Sequence, residues 1–347
     1  MKERNPHYEW LRAIAMLLVI MVHIPVKPFA GNAWFSNAFE SVLLVCNYLF
    51  FMLSGQLNLS KRFETREDIV RFYKSRLIGV LVPFAVGTAV LVGWNLAASG
   101  APVTVRSALG ALARAFLSEQ AGTHLWFMYY LMGFLLSTPF LARMLQGLDD
   151  AMLKVLMGVA LGWNFVSVYL AEDLGIHFGF TGWILGVWTI AYVAGYACPR
   201  LVNDRNRRWL YAAGLAGLAV TVLGRTLIPG HYLYANDLSP AYTLFGMAAY
   251  VFLIRHPKAI PNAVQKTARV LARESFLVYI LHVQVIARIT EPYIPYAYHA
   301  PVTFVTHTLV TLAASFALAF LLRWAVVQPV QKLLRRVLAD AREGGKA

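Results

Sequence analysis

Ten apolar stretches, each near the ~20 residues a helix needs to cross a bilayer, constrain this chain more than any other feature. They fall at roughly 8–26, 37–58, 76–98, 124–142, 152–170, 181–198, 209–229, 238–254, 274–292 and 302–325. The sequence therefore predicts an all-α, polytopic membrane protein with about ten transmembrane helices. Composition agrees: 14% of residues are charged, against about 25% in a soluble domain. A net charge of +14 would suit nucleic acid. The basic residues, however, fall in short clusters between the apolar runs, which is a topology signal, so no nucleic acid is expected. Cys46 and Cys198 lie in or beside apolar runs and offer neither a disulfide framework nor metal-ligand spacing, so no metal is expected. No small-residue cleavage pattern follows the first apolar segment, which reads as retained.

Lys and Arg set the expected orientation. With both termini in the cytoplasm, 26 of the 31 basic residues fall inside, and only Lys27, Arg106, Arg114, Arg225 and Arg288 outside. An odd number of spans would put a dense cluster on the wrong side. The chain reads as one transmembrane domain, 1–330, and a short basic cytoplasmic tail, 331–347. The longest outer loop, about 99–123, holds apolar residues at helical spacing from Val103 to Leu117, predicting a short surface helix. Pro83 falls inside the third segment and predicts a bend; Pro292 and Pro329 mark ends or kinks.

Several polar residues sit where lipid would forbid them. Arg12 and His23 lie eleven positions apart in the first segment. On a helix that is about three turns, within roughly 20° of one face and about 16 Å apart. Ionisable groups at membrane depth rarely face lipid, so both are expected to point into a polar interior. The plainer alternative is that Arg12 snorkels to the headgroups and His23 caps the helix. Glu9, three residues before Arg12, is placed to orient it. Ser54-Gly55 ends the second segment and suits close backbone approach. Arg71, Lys74 and Arg76 enter the third segment, as topology signals or as a phosphate site. His124 and Trp126 open the fourth, where an interfacial aromatic belt competes with a sugar platform. Ser275, Tyr279 and His282 share one face of the ninth, as bundle glue or as a site.

These stretches resemble the bacterial acyltransferase-3 family of membrane O-acyltransferases. The resemblance rests on Arg12…His23 and Phe50-Phe51-Met52-Leu53-Ser54-Gly55. It rests also on His124-Leu125-Trp126-Phe127-Met128-Tyr129-Tyr130 and the run from Ser275 to His282. It covers roughly 6–330. It implies ten core helices in the bacterial inner membrane and acyl transfer, usually acetyl, from cytoplasmic acyl-CoA. The implied acceptors are hydroxyls of cell-envelope glycans or glycolipid precursors. Two departures stand out: no esterase-like domain follows the last segment, and the arginine pair entering the third helix is spread over Arg71, Lys74 and Arg76.

An alcohol is a poor nucleophile at neutral pH, so attack on a thioester needs a base, and histidine titrates in the right range. The expectation is that His23 is the base and that Arg12 binds or polarises the donor. Arg71, Lys74 and Arg76 are expected to hold the phosphates of acetyl-CoA. Glu9, Ser54, His124, Trp126, Ser275, Tyr279 and His282 are expected to line the pore or meet the acceptor. The rival class is a small-molecule or lipid-linked glycan carrier. Against it, no inverted repeat is visible and few acidic residues lie mid-membrane.

Overall fold

The computed structural model describes residues 6–29, 31–100, 104–117, 122–170, 175–176, 186–228, 237–256, 262–296 and 299–343. Among them the protein is helical, with no strand. The helices are α1 (Pro6–His23), α2 (Ala33–Leu43), α3 (Val45–Leu59), α4 (Arg66–Ala98), α5 (Val105–Leu117), α6 (Trp126–Gln146) and α7 (Asp150–Leu170). They continue with α8 (Val187–Leu201), α9 (Arg207–Leu227), α10 (Pro240–Arg255), α11 (Asn262–Val285), α12 (Ala300–Leu322) and α13 (Gln328–Glu343). Among the described residues six helical runs are long and apolar enough to cross a membrane: Ala33–Leu59, α4, α7, α9, Val264–Tyr293 and Ala300–Leu338. The predicted segments coincide with helix among the described residues, the second with two helices that meet at Leu44; residues 181–185 of the sixth and 229 of the seventh lie outside the described residues. The surface helix expected from Val103 is present from Val105.

Local chemistry sets the helix starts. Asn32 caps α2 by accepting from the Phe35 amide at 3.2 Å. Thr65 and Asp68 form a capping box at α4: Thr65 Oγ1 accepts from the Asp68 amide, and Asp68 Oδ2 from the Thr65 amide. Asp149 caps α7 through the Met152 amide at 2.8 Å.

The chain divides into two compact units. The first comprises Met1–Phe63, Phe134–Ala272 and Tyr296–Phe304; the second comprises Glu64–Gly133, Arg273–Pro295 and Val305–Ala347.

The first unit is organised around α3, which packs on α1, α8 and α10. The α3–α8 crossing brings backbone against backbone. A Cβ on Gly55 would collide with the Tyr192 carbonyl, and one on Gly195 with the Met52 carbonyl. Neither position tolerates a side chain, and close packing thereby accounts for Gly55. Tyr48 fills the next layer, its ring 5.3 Å from Trp188 and 5.6 Å from Tyr242. Its hydroxyl meets Thr243 Oγ1 at 2.9 Å.

The second unit shows how membrane helices carry proline. Single π turns span Leu77–Leu81, Ile286–Thr290 and Arg323–Val327. Each ends two residues before a proline: Pro83, Pro292 and Pro329. Proline lacks the N–H for an i→i−4 bond, and its ring crowds that carbonyl. In all three cases the crowded carbonyl, of Gly79, Arg288 or Ala325, belongs to the π turn, whose wider loop moves it aside. The Val82 amide bonds the Leu77 carbonyl across one such turn. At Pro83 and Pro329 the π turn lies within continuing helix, whereas at Pro292 the helix ends one residue later, at Tyr293, as an end at that proline requires. Gln331 on α13 donates to the Ile78 carbonyl at 2.8 Å.

Candidate functional site

In the first unit, α1 carries three of the predicted residues. Glu9 is buried and accepts from Arg269 Nε of α11 at 3.1 Å. Arg12 is half-buried one turn later. His23 closes the helix, exposed, with Nδ1 2.8 Å from the Val19 carbonyl oxygen. A carbonyl only accepts, so Nδ1 carries the proton, and in the neutral ring the lone pair resides on Nε2. The local backbone thus selects the tautomer in which Nε2 carries the basic lone pair. The start of α1 is fixed by a polar chain: Gln56 Nε2 donates to the Tyr8 hydroxyl at 2.6 Å, and the Tyr250 hydroxyl donates to Gln56 Oε1. Ser54 is half-buried, and its carbonyl and Oγ accept from Asn58 Nδ2 at 2.9 and 3.2 Å.

Beyond His23, Lys27 folds back onto the end of α1 and donates to the Val22 and Ile24 carbonyls at 2.9 and 2.6 Å. It satisfies carbonyls that the helix end leaves open. Arg225 pairs with Glu40 at 2.5 Å, and Asp237 accepts from Asn47 Nδ2 at 2.5 Å. Burial holds the Lys27 ammonium below the usual lysine range. It pushes the Asp237 carboxyl up to about 6, against the opposing pull of the Asn47 hydrogen bond and the Arg225 charge.

In the second unit, the predicted basic trio does not form one face. α4 is a regular α-helix from Arg66 to Arg76, so Arg71 and Lys74 are neighbours while Arg76 lies roughly 140° away from Arg71. Arg71 is exposed, 3.6 Å from Asp68. Arg76 turns its guanidinium over the Phe72 ring, 5.1 Å from the centroid.

The unit also gathers His124, Tyr279 and His282. His124 Nε2 donates to the Ile280 carbonyl at 3.0 Å, and the Tyr279 hydroxyl donates to the His124 carbonyl. His282 Nδ1 donates to the Tyr279 carbonyl at 2.6 Å. The two imidazoles stand edge to face at 5.3 Å, and His282 is fully buried. Ser275 is buried on the same helix. Trp126 is half-buried, 5.9 Å from Tyr130, ring to ring. Beside this cluster Glu274 is buried and ion-paired with Arg323 at 2.8 Å. An apolar groove of about 260 Å³, lined by Val90, Trp94, Leu281 and Leu318 among others, touches none of these residues. Among the described residues no group of three or more His, Cys, Asp or Glu side chains converges as metal ligands.

A family model for the acyltransferase domain, acyltransferase-3, matches residues 5–324. The chain belongs to that family. It is thus a multi-pass membrane acyltransferase, with α1, α3, α6 and α11 all inside the matched span. No curated protein and no solved structure matches it.

Sequence reasoning passed over several residues of this acyltransferase. Gln56 was legible as an amide inside an apolar run. Lys27 and Arg225 belong to the minority of basic residues expected outside, which the charge rule does not require. Arg269 and Glu274 were hidden among a basic cluster that topology explains without them.

Proposed function

We propose that this acyltransferase moves an acyl group, acetyl in the simplest case, from cytoplasmic acyl-CoA to a hydroxyl of a cell-envelope glycan or glycolipid precursor. It would do so in the bacterial inner membrane, through about ten spans with both termini in the cytoplasm. The observation that carries the reading is His23: exposed at the end of α1, with Nδ1–H donated to the Val19 carbonyl, which selects the tautomer whose basic lone pair is on Nε2. In this reading Nε2 takes the proton of the acceptor hydroxyl as its oxygen bonds to the thioester carbonyl carbon. The carbon–sulfur bond then breaks, and Nε2–H returns the proton to the departing thiolate. Arg12 supplies fixed positive charge for the donor. Arg71 and Lys74, adjacent on α4, attract the donor's phosphates, with Arg76 packed on Phe72 behind them. His124, Tyr279, His282 and Ser275 brace α11, while Ser54 and Trp126 remain candidates for contact with the acceptor.

The test is transfer of labelled acetyl from acetyl-CoA by purified protein to envelope glycan or lipid extracts. The expected result is an alkali-labile ester on the acceptor and release of CoA. A protein that moves glycan across vesicles and never releases CoA would overturn the proposal in favour of a carrier.

A further inference from the structure

Phosphate recognition is expected on α4, yet Arg71, Lys74 and Arg76 do not share one face there, Arg76 being turned onto Phe72. A better-ordered set lies within the first unit. Arg269 of α11 is held through Nε by Glu9 of α1 at 3.1 Å. The two ends of that pair differ in exposure: the Glu9 side chain is 5% exposed and the Arg269 side chain 57%. The anchor is buried and the guanidinium it fixes projects outward. Among the described residues, both terminal nitrogens of Arg269 lack a protein partner. Arginine offers two parallel N–H groups along its outer edge, and that edge suits phosphate oxygens.

Two further cations flank the pair. Lys266 is exposed one turn before Arg269 on the same face of α11. Arg12 lies one turn after Glu9 on α1. The four residues carry three positive charges and one negative, so a net positive charge of two survives the ion pair. A topology signal needs no buried carboxylate to aim its arginine. A binding group does, because holding the side chain in place beforehand removes the entropy otherwise lost on binding. Glu9 is itself held in a fixed helix start, where Tyr8 is tied through Gln56 to Tyr250.

We propose that Arg269, aimed by Glu9 and supported by Lys266 and Arg12, is a subsite for the phosphate groups of the acyl donor. It rests on the reading that the donor is an acyl-CoA, and it assigns recognition to the α1–α11 contact in addition to α4.

The test compares two donors on full-length protein in nanodiscs: acetyl-CoA, and acetyl-pantetheine, which has the same thioester and no phosphate. Arg269→Gln raises the KM for acetyl-CoA about ten- to a hundredfold. It moves the KM for acetyl-pantetheine by less than about twofold. Arg269→Lys restores part of the loss, since charge returns without the planar fork. Lys266→Gln, outside the ion pair, raises the KM for acetyl-CoA several-fold and carries the test if Arg269→Gln fails to fold. An unchanged KM for acetyl-CoA in these variants overturns the subsite, as does an equal rise for both donors. Wild-type protein that uses neither donor overturns the donor reading itself, a separate outcome.

Discussion

Two histidine settings divide this protein. In the first unit His23 is exposed at a helix end, tied to the backbone through one nitrogen. In the second, His124 and His282 are buried, interlocked with the backbone of α11 and with Tyr279, and packed edge to face. The residue type is the same and the physical roles differ. A buried imidazole whose hydrogens go to main-chain carbonyls stiffens the fold, because undoing it strands polar groups in an apolar interior. An exposed imidazole with a backbone-selected tautomer is placed for the proton exchange that the proposed mechanism gives it.

The sharpest way to break that contrast is to remove each imidazole. His23→Ala is expected to cut acetyl transfer about 10²- to 10⁴-fold, with expression and membrane insertion unchanged. His282→Ala is expected to lower stability by about 2 kcal/mol or more. Its transfer per folded molecule should fall by less than about tenfold. Transfer assays beside thermal melts in detergent separate the two, and a reversed pattern would exchange the roles assigned here. Arg12→Lys keeps the charge and loses the planar fork. An expected fall of about tenfold in kcat/KM, with a melting point equal to wild type, would tie Arg12 to the donor.

An effect confined to a pH window concerns Asp237, whose carboxyl sits at about 6 rather than 3.8 because burial disfavours its charge. Between those values the folded chain holds a proton that the unfolded chain has released. Wild-type stability therefore falls as pH rises through this window, and the cost is complete above pH 6. Asp237→Asn keeps an acceptor for Asn47 without the charge. It is expected to add about 1–3 kcal/mol at pH 7.5, with the gain vanishing as pH drops toward 4. Melting curves of both proteins across that range check it.

How much of this was legible beforehand depends on what each signal measures. Hydropathy marked where helix lies among the described residues, and six of the helical runs there are long and apolar enough to cross a bilayer. It missed how far the helices continue: α4 begins at Arg66 rather than 76, α11 at Asn262 rather than 274, and helix resumes after Pro329 through Glu343. Those extensions are polar or amphipathic and hydrogen-bonded like the rest, so nothing in mean hydropathy marks them. The second segment, drawn as one piece, is two helices meeting at Leu44, a residue with helical angles and no Gly or Pro to announce the break. The site followed the same rule. Periodicity put Ser275, Tyr279 and His282 on one face, but only coordinates show that Tyr279 and His282 are engaged with main-chain carbonyls. Spacing suggested that Glu9 orients Arg12; the bond displayed is to Arg269, 260 positions away, a distance no local pattern spans.

The π turns ahead of Pro83, Pro292 and Pro329 have a rotational consequence. A turn that closes over five residues in place of four inserts about 100° of phase into everything that follows. In α4 the charged start and the lipid-embedded remainder are therefore clocked independently, and each chooses its own outward direction. Deleting one residue between Leu77 and Leu81 would spin one half against the other, changing which side chains meet the bilayer without altering a single apolar residue beyond the cut.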